Sequence, residues 1–117
     1  MAPDSAKPAP LSAATLHILL SLAQEDMHGY GIIQEVARSS EGHYRMGPGT
    51  LYDNLKKLMD AGLVADVRRS ATAKQDDRRL YTLTAEGRGA LAMEVDRLQK
   101  IVRQARLRLQ EARPRRV

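Results

Sequence analysis

The sequence has no cysteine, tryptophan or phenylalanine, and its aromatic residues are four tyrosines. The absence of cysteine excludes disulfides, thiolate zinc sites and cysteine nucleophiles, and it is compatible with a reducing cytoplasm. With so few aromatic rings, the core must be built from Leu, Ile, Val, Ala and Met. The 117 residues, 43% hydrophobic and 28% charged, are typical of one globular domain with one additional element.

Long apolar runs are also missing. The longest lies between Leu16 and Ala23, where His17 and Ser21 interrupt it, and it is much shorter than the ~20 residues that cross a bilayer. Residues 1–10 contain three prolines and lack the apolar segment of a signal peptide. We therefore expect a cytoplasmic protein that does not contact membranes and has a flexible tail at residues 1–10.

Positive charge is concentrated near the C-terminus. The net charge is +5, yet residues 1–96 hold 11 Lys/Arg against 13 Asp/Glu, whereas residues 97–117 hold eight Lys/Arg and one acid. A basic balance suggests a nucleic-acid partner, but this distribution says little about the central region. Locally, residues 38–79 contain nine basic and six acidic side chains.

The spacing of apolar residues predicts three helices, two strands and a long final helix. We expect Ser12 to cap the first helix, Gly62 to end the third and Thr84 to cap the last. This order predicts a mainly α (α+β) fold, a winged helix-turn-helix with a long C-terminal dimerisation helix. The predicted helices are 11–24, 30–38, 48–61 and 85–111, the predicted strands are 63–69 and 79–84, and residues 25–29 are expected to break the chain between the first two helices. We expect the chain to divide into a DNA-binding domain at 11–84, a dimerisation helix at 85–112 and a basic tail at 113–117.

The start of the third helix is the candidate DNA-contacting surface, because the first residues of a helix in the major groove reach base edges and phosphates. Glycines allow close backbone approach, and free N–H groups at a helix start bind phosphate. Tyr52 lies off the buried stripe, so we expect a partly exposed ring with a free hydroxyl. The residues predicted to bind DNA here are Gly49, Thr50, Tyr52, Asn54 and Lys56. The same segment also fits a well-capped helix start without any ligand.

The segment between the two predicted strands is the candidate wing. Arg69, Lys74 and Arg79 are predicted to contact DNA there, since basic side chains at a wing meet phosphates or enter the minor groove. Arg68 and Arg78 add to this basic set, while the adjacent Asp76 and Asp77 partly cancel its charge. Each basic residue taken alone also fits an ordinary solvated loop.

The last helix carries an apolar edge with spacings of 4, 3, 4, 3 and 4 residues, an a/d pattern over nearly three heptads. So small a domain cannot bury this edge alone, and we expect it to pack on a partner chain, with its own first helix covering part of it. Repulsion among the arginines on its other faces favours terminal helices that cross or run antiparallel. The predicted dimerisation residues are Leu11, Leu16, Leu20, Leu91, Val95, Leu98, Val102, Ala105 and Leu109.

Several motifs in order resemble the PadR-like family of bacterial transcriptional regulators over about residues 11–98. They are His28–Ile32, Gly49–Tyr52, Leu55, Leu58, Ala61–Val64 and Arg79–Gly87. The resemblance implies a winged helix-turn-helix, dimerisation through the C-terminal helix and repression by operator binding, with Thr50 and Tyr52 at DNA-contacting positions. The short C-terminal part is similar to the branch with a single terminal helix. Some members stack flat aromatic ligands on an interface tryptophan, a mode that does not extend to this chain, which has none.

We therefore predict a sequence-specific DNA-binding regulator, a repressor acting as a homodimer on a roughly palindromic double-stranded operator, with room for a small-molecule inducer at the dimer interface. An enzyme is not expected, because no nucleophile motif or phosphate-binding glycine motif is present. No cofactor or metal is expected either, because the histidines, 11 and 15 residues apart, match no ligand template. The alternative is a winged-helix protein-interaction module that does not bind specific DNA.

Overall fold

The computed structural model describes residues 9–67 and 79–111. Within these residues the chain forms four helices and one small antiparallel sheet. The elements are α1 (Ala13–Gln24), β1 (Met27–His28), α2 (Gly29–Ser39), α3 (Pro48–Asp60), β2 (Val64–Val67), β3 (Leu80–Leu83) and α4 (Ala85–Glu111). The predicted fold class and the order of the six predicted elements are confirmed, and β1 is an addition. Residues 1–8 of the predicted tail at 1–10 lie outside the described residues, as does the predicted basic tail at 113–117.

Short-range capping contacts fix the ends of the helices. The Ser12 side chain accepts a hydrogen bond from the Thr15 N–H at 3.1 Å and so caps α1. Pro48 is the first residue of α3, where its missing N–H costs no hydrogen bond. Gly62 follows α3 with a φ of +80°, a left-handed conformation that glycine adopts without strain. Thr84 accepts from the Gly87 N–H at 2.9 Å, so the predicted caps are confirmed.

The sheet has three strands, not the two that the sequence predicts. β3 lies between β1 and β2 and is antiparallel to both. Met27 pairs with Tyr81, and His28 pairs with Leu80. These two residues lie in the predicted break at 25–29, and in the structure they attach the start of α2 to β3. A two-residue strand shows no period-2 pattern, and its partner is about fifty residues away. The sequence therefore carried no local signal for β1.

The core is aliphatic, as expected. α1 contacts the other three helices and β3, which places it at the centre of the domain. The side chains that are almost completely buried are Ile18, Leu19, Leu22, Ile32, Val36, Leu51 and Leu55. The wider cluster of buried core residues in the described chain contains one aromatic residue, Tyr81.

The start of α4 is pressed against the sheet. A Cβ at Gly87 would overlap the backbone carbonyl oxygen of Leu63 and lie 2.6 Å from Leu83 Cδ1. Glycine is therefore needed at this position for α4 to pack on β2 and β3. Among the described residues, no helix combines the length and the apolar character that a membrane crossing requires, because α4, although long, is highly charged.

Candidate nucleic-acid interface

The first turn of α3 is open to solvent. Gly47, Pro48, Gly49 and Thr50 are all exposed, and no side chain among residues 9–67 and 79–111 caps the helix start. A Cβ built at Gly47 or Gly49 would meet no atom within 4 Å. Packing within the described chain therefore does not require these glycines. The arrangement leaves free backbone N–H groups and the Thr50 hydroxyl at one exposed end, a geometry suited to an anion such as phosphate.

Tyr52 lies one turn further along α3 and reaches across to the start of α2. Its side chain is 49% exposed, as the sequence predicted. Its ring lies directly over Gly29, since a Cβ built there would stand 2.9 Å from Tyr52 Cζ and 3.2 Å from Cε1. The hydroxyl lies nearer still to that point, and none of the hydrogen bonds found among the described residues includes it. It is thus available to a ligand at the junction of α2 and α3.

Asn54 and Lys56 follow on the same helix. The half-buried Asn54 donates from Nδ2 to the Thr50 carbonyl oxygen at 2.8 Å, so part of its amide supports the first turn of α3. Lys56 is exposed. Of the five residues predicted on α3, four present an exposed backbone or side chain, and Asn54 presents only part of its amide.

The base of the wing lies beside this surface. Arg79 is half-exposed, and its Nε lies 3.4 Å from Asp66 Oδ2 on β2. The carbonyl oxygen of Arg79 is 2.9 Å from His28 Nδ1, at the edge where β1 joins α2. These contacts hold the backbone of Arg79 close to the start of α2 and leave part of its guanidinium in solvent.

Tyr81 is almost completely buried on β3, where it pairs with Met27 of β1 and Asp66 of β2. Burial raises the pKa of the Tyr81 hydroxyl, and the nearby Tyr52 raises it further, while a hydrogen bond from Arg79 lowers it. Tyr52 approaches Gly29 at the start of α2, and the Arg79 carbonyl oxygen is 2.9 Å from His28 Nδ1 beside it. The structure brings the start of α2, the start of α3 and the end of the wing onto one surface.

The wing tip, residues 68–78, lies outside the described residues. Arg69 and Lys74, which the sequence predicts as DNA contacts, lie outside the described residues, as do Arg68 and Arg78. Arg79 is the one predicted wing contact whose position is described. The roles of Arg69 and Lys74 stay predictions.

The predicted dimerisation residues divide into two groups. Leu91 is only 8% exposed and belongs to the core of its own chain, and Leu11 and Leu16 pack against that core. These three side chains offer a partner less surface than the sequence suggests, because α1 and the start of α4 cover one another. Leu98 is half-buried.

The second group is exposed. It consists of Leu20, Val95, Val102, Ala105 and Leu109. The structure adds Ile101, which is half-exposed and lies three residues after Leu98 on the same side of α4. Sequence reasoning missed Ile101 because a strict a/d pattern skips it, although its apolar character and spacing were a visible signal.

Two polar contacts outside this surface also shape the domain. Glu94, 5% exposed within α4, accepts hydrogen bonds from Arg97 Nε at 3.0 Å and Nη2 at 2.6 Å. The Arg97 hydrogen bonds lower the pKa of Glu94, and the Leu11 backbone N–H acts in the same direction. His17 is half-buried and stacks on Tyr44 with ring centroids 4.7 Å apart.

Three helices followed by an antiparallel strand pair, with the third helix exposed at its start, define a winged helix-turn-helix protein. The model of the transcriptional regulator PadR-like family matches residues 18–93. The transcriptional regulator Rv3488 of Mycobacterium tuberculosis is 36% identical over 93 residues, which cover 80% of this chain and 82% of that protein. The chain therefore belongs to the PadR-like family of transcriptional regulators. Because this family consists of regulators, the prediction that the chain is not an enzyme is confirmed.

Solved structures share the fold. A PadR family transcription regulator from Clostridium difficile R20291 superposes with a TM-score of 0.68 at 22% identity, covering 84% of this chain and 99% of that one. Bacillus subtilis PadR, solved in complex with operator DNA, has a TM-score of 0.60 at 22% identity, covering 72% of this chain and 47% of that chain. At these identities the similarity establishes the architecture, a winged helix-turn-helix.

Proposed function

We propose that this chain is a sequence-specific DNA-binding repressor that acts as a homodimer on a roughly palindromic operator. The observation that carries the proposal is the single surface formed by the open start of α3, the Tyr52 hydroxyl and the half-exposed Arg79. The fold shared with Bacillus subtilis PadR, which was solved with operator DNA, supports it.

The chemistry of this surface suits a nucleic-acid backbone flanked by base edges. Gly49 and Thr50 offer N–H and hydroxyl donors at the positive end of the α3 dipole, where an anion is stabilised. Tyr52 adds a hydroxyl, and Arg79 adds a charge. Phosphate contacts of this kind fix the position of the protein on DNA, and sequence is read by α3 side chains in the major groove, with Lys56 on the exposed side.

The second half of α4 supplies the dimer. Val102, Ala105 and Leu109 are exposed in the described chain. Burying a large apolar side chain stabilises an assembly by roughly 1.5–3 kcal/mol of free energy. Pairing of two such edges, together with Leu20, would place two α3 helices on half-sites about one helical turn apart. A small molecule lodged between the terminal helices would change that spacing and so act as an inducer.

DNA binding is tested by fluorescence anisotropy with labelled DNA from the region upstream of the chain's own gene, using scrambled DNA of equal composition as the control. We expect tighter binding to the upstream DNA and a steep loss of affinity with salt, with a logarithmic slope of about −0.9 per neutralised phosphate. Equal binding to both DNAs, or none to either, would contradict the proposal.

The second candidate is a protein-interaction module. The excess of acidic over basic residues in 1–96 favours it, because a negative body is repelled by phosphates. The same anisotropy measurement decides between the two functions, since such a module would show neither the preference for upstream DNA nor the salt slope.

A further inference from the structure

Gly29 is the first residue of α2, and it is buried although it lies beside the exposed start of α3. The ring of Tyr52 occupies the space that a side chain at position 29 would fill. A Cβ there would stand 2.9 Å from Tyr52 Cζ, 3.2 Å from Cε1 and closer still to the hydroxyl. No other atoms approach that point as closely.

We infer that Gly29 is a positioning residue for DNA binding: its missing side chain lets Tyr52 lie across the start of α2, with its hydroxyl at the junction of the two helices. The inference rests on the proposed function. It assigns a role in recognition to a residue that does not itself offer DNA a side chain.

The backbone at Gly29 does not require glycine. The positive-φ glycines of the described chain are Gly42 and Gly62, so alanine can adopt the conformation found at position 29. The three atoms nearest to a methyl group at this position all belong to the Tyr52 side chain. Glycine at position 29 is therefore explained by Tyr52 and not by the geometry of α2.

The Tyr52 ring can move when a methyl group is added. It is the far end of a side chain that is 49% exposed, so it can swing into solvent without opening the core. Gly87 offers the contrast, because the atom that blocks a side chain there is a backbone oxygen. Gly29→Ala should consequently displace a side chain and leave the fold intact.

The affinity test is a double-mutant cycle on upstream DNA with Gly29→Ala, Tyr52→Ala and the combined variant. Gly31→Ala is the matched control, since it lies in the same turn and its methyl group would meet Met27 Cβ at an ordinary 3.7 Å. Losing one hydroxyl-to-phosphate hydrogen bond weakens binding about tenfold per half-site, and so about a hundredfold for a dimer on its operator. We expect that loss in Gly29→Ala and in Tyr52→Ala, the same loss in the combined variant, and wild-type binding in Gly31→Ala.

The outcomes separate two failures. If Tyr52→Ala binds like wild type, the assignment of Tyr52 to DNA contact fails, and the inference about Gly29 falls with it. If Tyr52→Ala is weak while Gly29→Ala binds like wild type, or if the two losses multiply in the combined variant, the inference about Gly29 alone is overturned.

A structural measurement needs no DNA. Nuclear Overhauser contacts between the Tyr52 ring protons and the Gly29 Hα protons should be present in the wild type and in Gly31→Ala. Gly29→Ala should lose the close packing of the ring on residue 29 while its thermal unfolding stays cooperative. Absence of the contacts in wild type, or an unfolded Gly29→Ala chain, would overturn the inference, because the methyl group would then meet something other than a movable ring.

Discussion

The two ends of α4 differ sharply in what surrounds them. From Gly87 to Leu98 one side of the helix packs on its own domain, with Leu91 and Glu94 buried. From Gln99 to Glu111 every residue is exposed. The first part is stabilised by contacts within one chain, and the second presents an apolar edge that its own chain leaves uncovered. Stability and assembly can therefore be altered separately along a single helix.

The largest expected effect falls on the packed end. Gly87→Ala should destabilise the fold by about 3 kcal/mol, because its methyl group meets the Leu63 carbonyl oxygen, which cannot move without shifting β2. Gly89→Ala, two residues further on, is the control, as its Cβ would meet nothing within 4 Å. Urea unfolding at one fixed protein concentration measures both variants. Equal stability of the two would show that α4 is not pressed on the sheet.

Substitutions in the exposed end of α4 should change the dissociation constant of the dimer and leave the stability of the fold unchanged. Val102→Glu should weaken the dimer at least about tenfold, since a charge then lies on the proposed apolar edge. Leu107→Glu is the matched control: the two wild-type side chains are 47% and 48% exposed, but Leu107 lies about 140° around the helix from Val102. Sedimentation equilibrium measures both. Similar dissociation of the two variants would place the interface elsewhere.

A smaller effect is expected at the base of the wing. Arg79→Ala should reduce the salt slope of DNA binding by at most about 1.8, evenly across DNA sequences, because it removes one phosphate contact from each protomer of the dimer. The ion pair with Asp66 makes the reduction smaller than that limit. Arg88→Ala is the control. Arg88 lies on α4, its Nη2 is 3.5 Å from the Ala23 carbonyl oxygen, and its loss should leave the salt slope unchanged. An unaltered slope in Arg79→Ala would count against wing contact.

The smallest effect concerns pH. The Arg97 hydrogen bonds lower the pKa of Glu94 below 4.5 in the folded chain. This contribution to stability is therefore complete above about pH 4.5 and is lost as the pH falls through the lowered pKa. The melting temperature of wild type should fall more steeply between pH 5 and about pH 3 than that of Glu94→Gln. Glu111→Gln, at an exposed position, should follow wild type; parallel curves for all three would refute the role of Glu94.

The sequence predicted what local contacts decide. The Ser12 cap, the Pro48 start and the Gly62 end each depend on residues within one turn, so the pattern alone indicated them. The aliphatic stripe of α3 was equally readable. The strand β1 was not, because its pairing with β3 joins residues about fifty positions apart.

The sequence predicted which residues of the site are exposed, but it did not predict how they contact one another. Thr50 and Tyr52 were expected to be exposed, and they are. The contact between Tyr52 and Gly29 depends on how α2 crosses α3, which no spacing within either helix specifies. In the same way, the a/d pattern located the apolar edge of α4 but not the point, near Leu98, where its own chain ceases to cover it.

The central claim is that the exposed start of α3 binds operator DNA, and the most direct test is the affinity of Thr50→Ala/Tyr52→Ala for upstream DNA. Two lost hydrogen bonds to phosphate in each protomer should weaken operator binding by at least about a hundredfold, with the melting temperature and the dimer unchanged, since both side chains are exposed. A folded, dimeric double variant that binds the operator as tightly as wild type would contradict the account.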